Sequence, residues 1–142
     1  MEARSTTLAN APSLEERAYN IRRNALRMGK VQGQGYIAQA LGVADVLAVS
    51  YFHALRYRPE DPAREERDRF LLSIGHYAIA LYAALIEAGI VPVDELETYG
   101  TDDSRLPMSG MPNRAHGTAG LCDSAHRRMK DVVDGHRLKA WL

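Results

Sequence analysis

The turn that links an apolar run to an apolar helix contains the residues best suited to chemistry. The run Phe70–Leu72 follows a charged connector and precedes Ser73-Ile74-Gly75-His76. We interpret the run as a short buried strand. Ligands collect beyond the carboxyl ends of such strands, where the next helix points unpaired N–H groups outward. The pattern therefore predicts an anion site at this turn.

Two residues of the turn have distinct uses. Gly75 has no Cβ, so a ligand can approach its backbone closely. His76, at the predicted first position of the helix, can donate a hydrogen bond to a phosphate oxygen or shuttle a proton. The alternative is a structural histidine bonded to a nearby carbonyl, and the spacing alone allows both.

A second segment, Gly29 to Gly35, holds three glycines in seven residues. It can lie against a ligand, with Gln32 and Gln34 as neutral donors, or it can be a plain turn between helices. It is not a Walker A loop, because no G-K-[ST] follows it.

The first predicted helix begins with a capping box. Ser13 and Glu16 have the S-x-x-E spacing, and apolar residues recur behind them at helical intervals. We predict a helix from Leu14 to Met28, ended by Gly29. Its other face carries four arginines and is interpreted as a solvated or interface surface: Arg17, Arg22, Arg23 and Arg27.

Further apolar patterns predict two longer helices and one short one. The second helix has an apolar stripe from Ile37 to Leu55 and ends at Arg58-Pro59, because the residue before a proline avoids the helical region. The third, His76 to Ala88, is apolar nearly all round and is expected to be buried on several sides. Asp94 can cap a short helix through Tyr99, and residues 100–120 are predicted to be loop.

Composition limits the class of protein. A chain of 142 residues fits one domain or less. Lys+Arg and Asp+Glu are both 18, so no overall charge attracts nucleic acid or an anionic membrane. A single cysteine excludes an internal disulfide framework, and no apolar run reaches the ~20 residues of a membrane span. We expect a cytoplasmic protein with no nucleic acid or membrane as a partner.

The charge is nevertheless uneven. Residues 1–112 carry 12 Lys/Arg and 15 Asp/Glu, whereas residues 113–142 carry 6 and 3. We predict one amphipathic helix in this basic tail, from about Asp123 to Leu138. Cys122 and the three tail histidines (His116, His126 and His136) lack the paired spacing of structural zinc ligands, so we predict no metal site. The tail either covers apolar surface or comes from a shifted reading frame.

Three segments resemble the thiamine-diphosphate domain of transketolases. RDRFLLSIGHYAIALYAALIEAG (Arg67 to Gly89) is similar to the family's connector, first strand, Gly-His pair and long helix. GQGYIAQALGVADVLAVSYFHALRYRPEDP (Gly33 to Pro62) is similar to the preceding glycine turn and helix. DELETYGTDDSRLPMSGM (Asp94 to Met111) is similar to the helix and loop that lead toward the substrate. We place the transketolase-like segment at residues 13–111 and a divergent tail at 112–142.

The resemblance implies an α/β thiamine-diphosphate-binding fold and transfer of a two-carbon ketol unit between sugar phosphates. The cofactor, held with Mg²⁺, supplies the carbon chemistry while the protein orients and protonates. His76 matches the family histidine beside the pyrophosphate and the reacting carbon, and Gly75 accompanies it as a cofactor-binding residue. Gln34 or Tyr36 occupies the position of an earlier family histidine, and we assign Gln34 to cofactor binding.

The sequence departs from the family pattern after Met111. The glycine-rich segment and the Gly-Asp-Gly metal motif are not matched, and Asp134-Gly135 is only a fragment of that motif. We therefore interpret the chain as a truncated cofactor domain, mainly α-helical with one short strand near 70–72. A lone strand needs partners for its backbone groups, so we expect a second chain or a homodimer to complete the site. The alternative is a non-catalytic module that docks on a full-length relative.

Overall fold

A computed structural model describes residues 11–61, 64, 66–72, 74–108, 122–124 and 138–141. Three helices and three short strands are the main elements, with tighter and wider helical turns between them. In chain order they are α1 (Leu14–Gln32), α2 (Ile37–Val49), a π-helical turn (Ser50–Ala54), β1 (Arg69–Leu72), a 3-10 turn (Gly75–Tyr77), α3 (Ala78–Glu87), a 3-10 helix (Val93–Thr98), β2 (Cys122–Ser124) and β3 (Leu138–Trp141).

Helix α1 begins at the predicted capping box. The Ser13 hydroxyl accepts the N–H of Glu16 at 3.2 Å, and the Glu16 carboxylate accepts the N–H of Ser13 at 2.8 Å. The predicted stop at Gly29 is wrong, because the helix continues to Gln32 and ends at Gly33 with φ +65°. Gly29 is buried inside the helix, where an added Cβ would collide with Ile37. It is a contact point for α2, not a terminator.

Helix α2 ends earlier than predicted. The α-helix stops at Val49, the π-helical turn follows, and Leu55 is extended at φ −83° and ψ 137°. The predicted continuation to Arg58 is therefore wrong. Asp68 gives the physical reason: its carboxylate accepts the N–H of Arg56 at 2.8 Å, and its N–H donates to the Arg56 carbonyl at 2.9 Å. These bonds hold the chain after α2 beside the chain before β1.

Within the described residues, one segment, Ile37–Ala54, is long and apolar enough to cross a membrane by length and composition. A third of it is buried, and α2 packs against both α1 and α3. It also carries Asp45, which forms an ion pair with Arg22 of α1. Core helices pass the same test, so this finding is weak evidence for a span.

The three strands form one parallel sheet in the order β2-β1-β3. The predicted strand near 70–72 is confirmed as β1, and Phe70 pairs with Cys122 on one side and Ala140 on the other. We did not expect the other two strands. The tail helix predicted for 123–138 is wrong at both ends, which are β2 and β3, and residues 125–137 lie outside the described part. The tail thus supplies the backbone partners that β1 requires.

The hydrophobic core lies between the helices and one face of β1. Every residue of α3 from Ala78 to Ile86 is buried, which confirms the burial predicted for this helix. Phe70 and Leu72 of β1 point into the same core. Three of the four α1 arginines pair with carboxylates on other elements, so this face contacts the rest of the protein: Arg17 with Glu87, Arg22 with Asp45, and Arg27 with Glu97.

Candidate functional site

Three connecting segments meet near the carboxyl end of β1. They are the turn 33–36 between α1 and α2, the turn Gly75–Tyr77 before α3, and the loop 100–108. The rings of Tyr36 and His76 meet edge-on, with centroids 4.9 Å apart. The Gln34 amide donates to the Met108 sulfur at 3.5 Å. These contacts join residues that are far apart in the sequence into one surface.

Gly100 lets the third segment approach. Its φ is +73°, and a Cβ there would lie 2.8 Å from Cγ of Met108 and 2.9 Å from Cδ of Gln32. The positive φ favours glycine, and a side chain here would require the flexible Met108 and Gln32 side chains to shift. The end of α1 therefore packs directly on the loop that carries Met108.

His76 lies in the 3-10 turn and not at the first position of α3, which begins at Ala78. Its side chain is exposed. Among the described residues, Tyr36 contacts its ring and no group forms a hydrogen bond with it. The carbonyl partner that a structural histidine requires is not found in that part of the chain.

The backbone at the start of α3 has the polarity predicted for an anion site. Neither Ile74 nor Tyr77 provides a side-chain cap, and the Tyr77 N–H donates to the Ile74 carbonyl at 3.0 Å. The first N–H groups of a helix carry a partial positive charge, which favours a phosphate or carboxylate placed there. Gly75 is half-buried beside them and has no side chain to obstruct a ligand.

The two residues named for the glycine turn make different contacts. Gln34 is exposed and reaches Met108, whereas Tyr36 contacts His76. Sequence reasoning named both positions but not their partners. Met108 was missed altogether, because nothing in an irregular loop indicates that it returns to the end of α1.

The described residues offer no group of three or more His, Cys, Asp or Glu side chains that could hold a metal ion. Cys122 lies in β2, while His116, His126 and His136 lie outside the described part. Divalent cations such as Mg²⁺ bind through several oxygen ligands. The exposed His76 imidazole and the uncapped start of α3 suit the phosphate groups of a cofactor, whereas the described residues bring together no three side chains that could hold a metal ion.

The family follows from a match over three quarters of the sequence. A family model described as "Transketolase, thiamine diphosphate binding domain" matches residues 15–121. The chain belongs to the transketolase family. The match extends past Met111 and includes all three segments that meet at His76. The resemblance that the Gly-His turn suggested is confirmed.

Two relatives from the transketolase family show how much of the chain matches known proteins. Transketolase family protein y4mO of Sinorhizobium fredii is 83% identical over 99 residues, covering 70% of this chain and 36% of that protein. The 6-deoxy-6-sulfo-D-fructose transketolase subunit SqwG of Clostridium sp. is 39% identical over 95 residues, covering 66% of this chain and 34% of that protein.

A solved transketolase from Leishmania mexicana shares the fold. It superposes with a TM-score of 0.69 and 30% identity, and the match covers 79% of this chain and 16% of the solved one. The mainly helical structure with β1 is thus that of the transketolase thiamine-diphosphate-binding domain. The chain spans about a third of y4mO and SqwG and about a sixth of the Leishmania enzyme.

Proposed function

We propose that the chain contributes to thiamine-diphosphate-dependent transfer of a two-carbon ketol unit between sugar phosphates. The observation that supports this most is the state of His76. Its imidazole is exposed and has no hydrogen-bond partner in the described part of the chain, beside the uncapped beginning of α3. An anionic cofactor fits both features.

Each residue of the site then has a role. The backbone of Gly75 and the start of α3 bind phosphate oxygens. His76 donates a hydrogen bond to the bound anion or moves a proton at the reacting centre, and Gln34 is a neutral donor at the rim. Thiamine diphosphate, when bound, supplies the electron sink for carbon–carbon bond cleavage. The contact with Tyr36 limits the orientations of the imidazole, which favours one geometry for proton transfer.

A second chain, of the same or another kind, completes the proposed site. Two observations support this: the described residues offer no group of three candidate metal ligands, and one relative, SqwG, is itself named a subunit. On this proposal the isolated chain binds the cofactor weakly and has weak or no activity.

Calorimetric titration of thiamine diphosphate with Mg²⁺ into the whole chain tests the proposal. We expect saturable binding that weakens about tenfold in His76→Ala, which loses one hydrogen bond to a charged group. His53→Ala is the matched control, because His53 is also exposed but lies on the π-helical turn. The proposal is rejected if millimolar cofactor produces no heat of binding, or if His76→Ala and His53→Ala lose affinity equally.

A second candidate function is a non-catalytic module that docks on a full-length transketolase through α1 and α2. Large apolar side chains exposed on these helices favour it: Tyr19, Leu26, Val46 and Val49. Such exposure is typical of protein-binding surfaces when the side chains are contiguous. Sedimentation of the chain with and without a full-length transketolase, such as that of Leishmania mexicana, tests it. A complex that forms without cofactor and survives His76→Ala would favour the module.

A further inference from the structure

A basic cleft lies near the amino end of β1, whereas His76 follows its carboxyl end. Its volume is about 340 Å³, and it is lined by Arg56, Tyr57, Arg58, Arg64, Glu66 and Arg67. Four guanidinium groups thus share one concavity with a single carboxylate. None of these residues belongs to the three segments that form the candidate cofactor site.

The position of the cleft along the chain separates it from that site. Arg67 comes two residues before β1, and His76 comes four residues after β1 ends. A strand of four residues is about 13 Å long. The cleft lies at the amino end of the strand and the Gly75–Tyr77 turn at its carboxyl end, so one small anion cannot occupy both.

Three carboxylates lie near the cleft, and one of them, Asp61, acts electrostatically on Arg64. Glu66 forms an ion pair with Arg64, which lowers the pKa of Glu66 and keeps it ionised. Asp68 is buried, and its carboxylate accepts the backbone N–H of Arg56. Arg56 and Arg58 are exposed, and their guanidinium groups make no hydrogen bond or ion pair with another described residue. Among the residues that line the cleft, four guanidinium groups accompany one carboxylate, so positive charge exceeds negative charge there.

The walls of the cleft are held in place by the fold. The two hydrogen bonds between Arg56 and Asp68 join the segment after α2 to the segment before β1. Tyr57 is half-buried and packs edge-on against the buried Tyr51, with ring centroids 5.8 Å apart. The Arg67 guanidinium donates to the Arg64 carbonyl at 3.1 Å. Because the walls are already held in place, less conformational entropy is lost when a ligand binds.

We propose that this cleft binds a small phosphorylated anion, with Arg56 and Arg58 as the donors to its phosphate oxygens. The planar guanidinium group matches a phosphate through two parallel hydrogen bonds, which makes arginine the preferred side chain for such groups. The volume is at the lower end of small-molecule pockets and suits a phosphate or a short phosphate ester. The site is independent of the proposed cofactor site.

Titration of inorganic phosphate and glycerol 3-phosphate into the ¹⁵N-labelled whole chain, at low salt, tests the proposal. We expect saturable shifts of the Arg56 and Arg58 amide signals, and about a tenfold loss of affinity in the double variant R56Q/R58Q. The matched control is R23Q/R27Q on α1, which removes the same charge from exposed arginines. His76→Ala is expected to leave this binding unchanged.

Four outcomes would overturn the proposal. One is the absence of saturation at millimolar phosphate. Another is an equal loss of phosphate affinity in R56Q/R58Q and R23Q/R27Q, which would indicate that net charge alone attracts the anion. Competition by acetate as effective as that by phosphate would remove the preference for phosphate. A loss of phosphate affinity in His76→Ala would indicate that the anion binds at the cofactor site instead. Partial recovery of phosphate affinity in R56K/R58K, which keeps the positive charge but lacks the planar guanidinium group, would support the proposal.

Discussion

The ring of Tyr36 meets the ring of His76 edge-on, with centroids 4.9 Å apart and planes inclined by 72°. Tyr36 directly precedes α2, and His76 lies in the turn before α3. The contact therefore brings the amino ends of two helices together beyond the carboxyl end of β1. It also limits the orientations of the imidazole in the turn.

The first prediction concerns this ring contact. Tyr36→Ala is expected to weaken thiamine diphosphate binding about three- to tenfold, because an edge-on aromatic pair contributes about 0.5–1.5 kcal/mol. Tyr36→Phe keeps the ring and is expected to bind as the unmodified chain does. Tyr19→Ala, at an exposed tyrosine of α1, is the control. Calorimetry measures all three, and normal binding by Tyr36→Ala would contradict the positioning role.

The second prediction concerns the loop that carries Met108. Gly100→Ala is expected to destabilise the chain by about 1–3 kcal/mol, because the new methyl group displaces the side chains of Met108 and Gln32 and the residue keeps a positive φ. Gly33→Ala isolates the backbone effect, since Gly33 has φ +65° and no atom within 4 Å of the added Cβ.

Urea unfolding measures both glycine variants. For Gly33→Ala we expect a loss of about 1 kcal/mol, the cost of a left-handed residue with a side chain. Equal losses at the two positions would show that Gly100 is required for its conformation alone and not for the close packing of three segments.

The third prediction concerns Arg17. Its guanidinium pairs with Glu87 at 2.9 Å and lies 4.4 Å from the ring centre of Phe52, so it joins α1 to α3 and to the π-helical turn. Arg17→Gln is expected to cost about 1 kcal/mol of unfolding free energy, since both groups of the ion pair are largely shielded from water. Arg27→Gln, whose pair with Glu97 is exposed, is expected to cost less than about 0.5 kcal/mol.

The fourth prediction concerns pH. Burial raises the pKa of Tyr99 above its ordinary value of 10.0, so the folded chain holds the phenol proton more tightly than the unfolded chain does. The resulting stabilisation is complete below pH 10 and is lost as the pH rises through the higher value. Urea unfolding at pH 8 to 11 is expected to show this loss, and Tyr99→Phe should reduce it.

Tyr19→Phe is the control for the alkaline loss, because Tyr19 is 64% exposed. Tyr57, whose pKa burial also raises, is present in both variants and leaves a residual loss. If Tyr99→Phe loses as much unfolding free energy at alkaline pH as the unmodified chain does, another group causes the loss.

Local patterns in the sequence predicted the parts of the fold that neighbouring residues determine. The Ser13–Glu16 capping box fixed the beginning of α1, and the apolar stripe around Ala18 and Ile21 predicted its buried face. The Gly75-His76 pair identified the candidate site and the family. These features depend on residues one to four positions apart, whose spacing is visible in the sequence.

The tertiary structure decided what depends on distant residues. Glycine is typical of helix ends, yet Gly29 lies inside α1. Ile37 occupies the space that a side chain at position 29 would need. The ends of the helix predicted for Asp123 to Leu138 fall instead in the strands Cys122–Ser124 and Leu138–Trp141, which pair with β1. The contacts of His76 with Tyr36 and of Gln34 with Met108 span 40 and 74 residues. Such contacts are selected by the free energy of the whole packed core, and no short stretch of sequence specifies them.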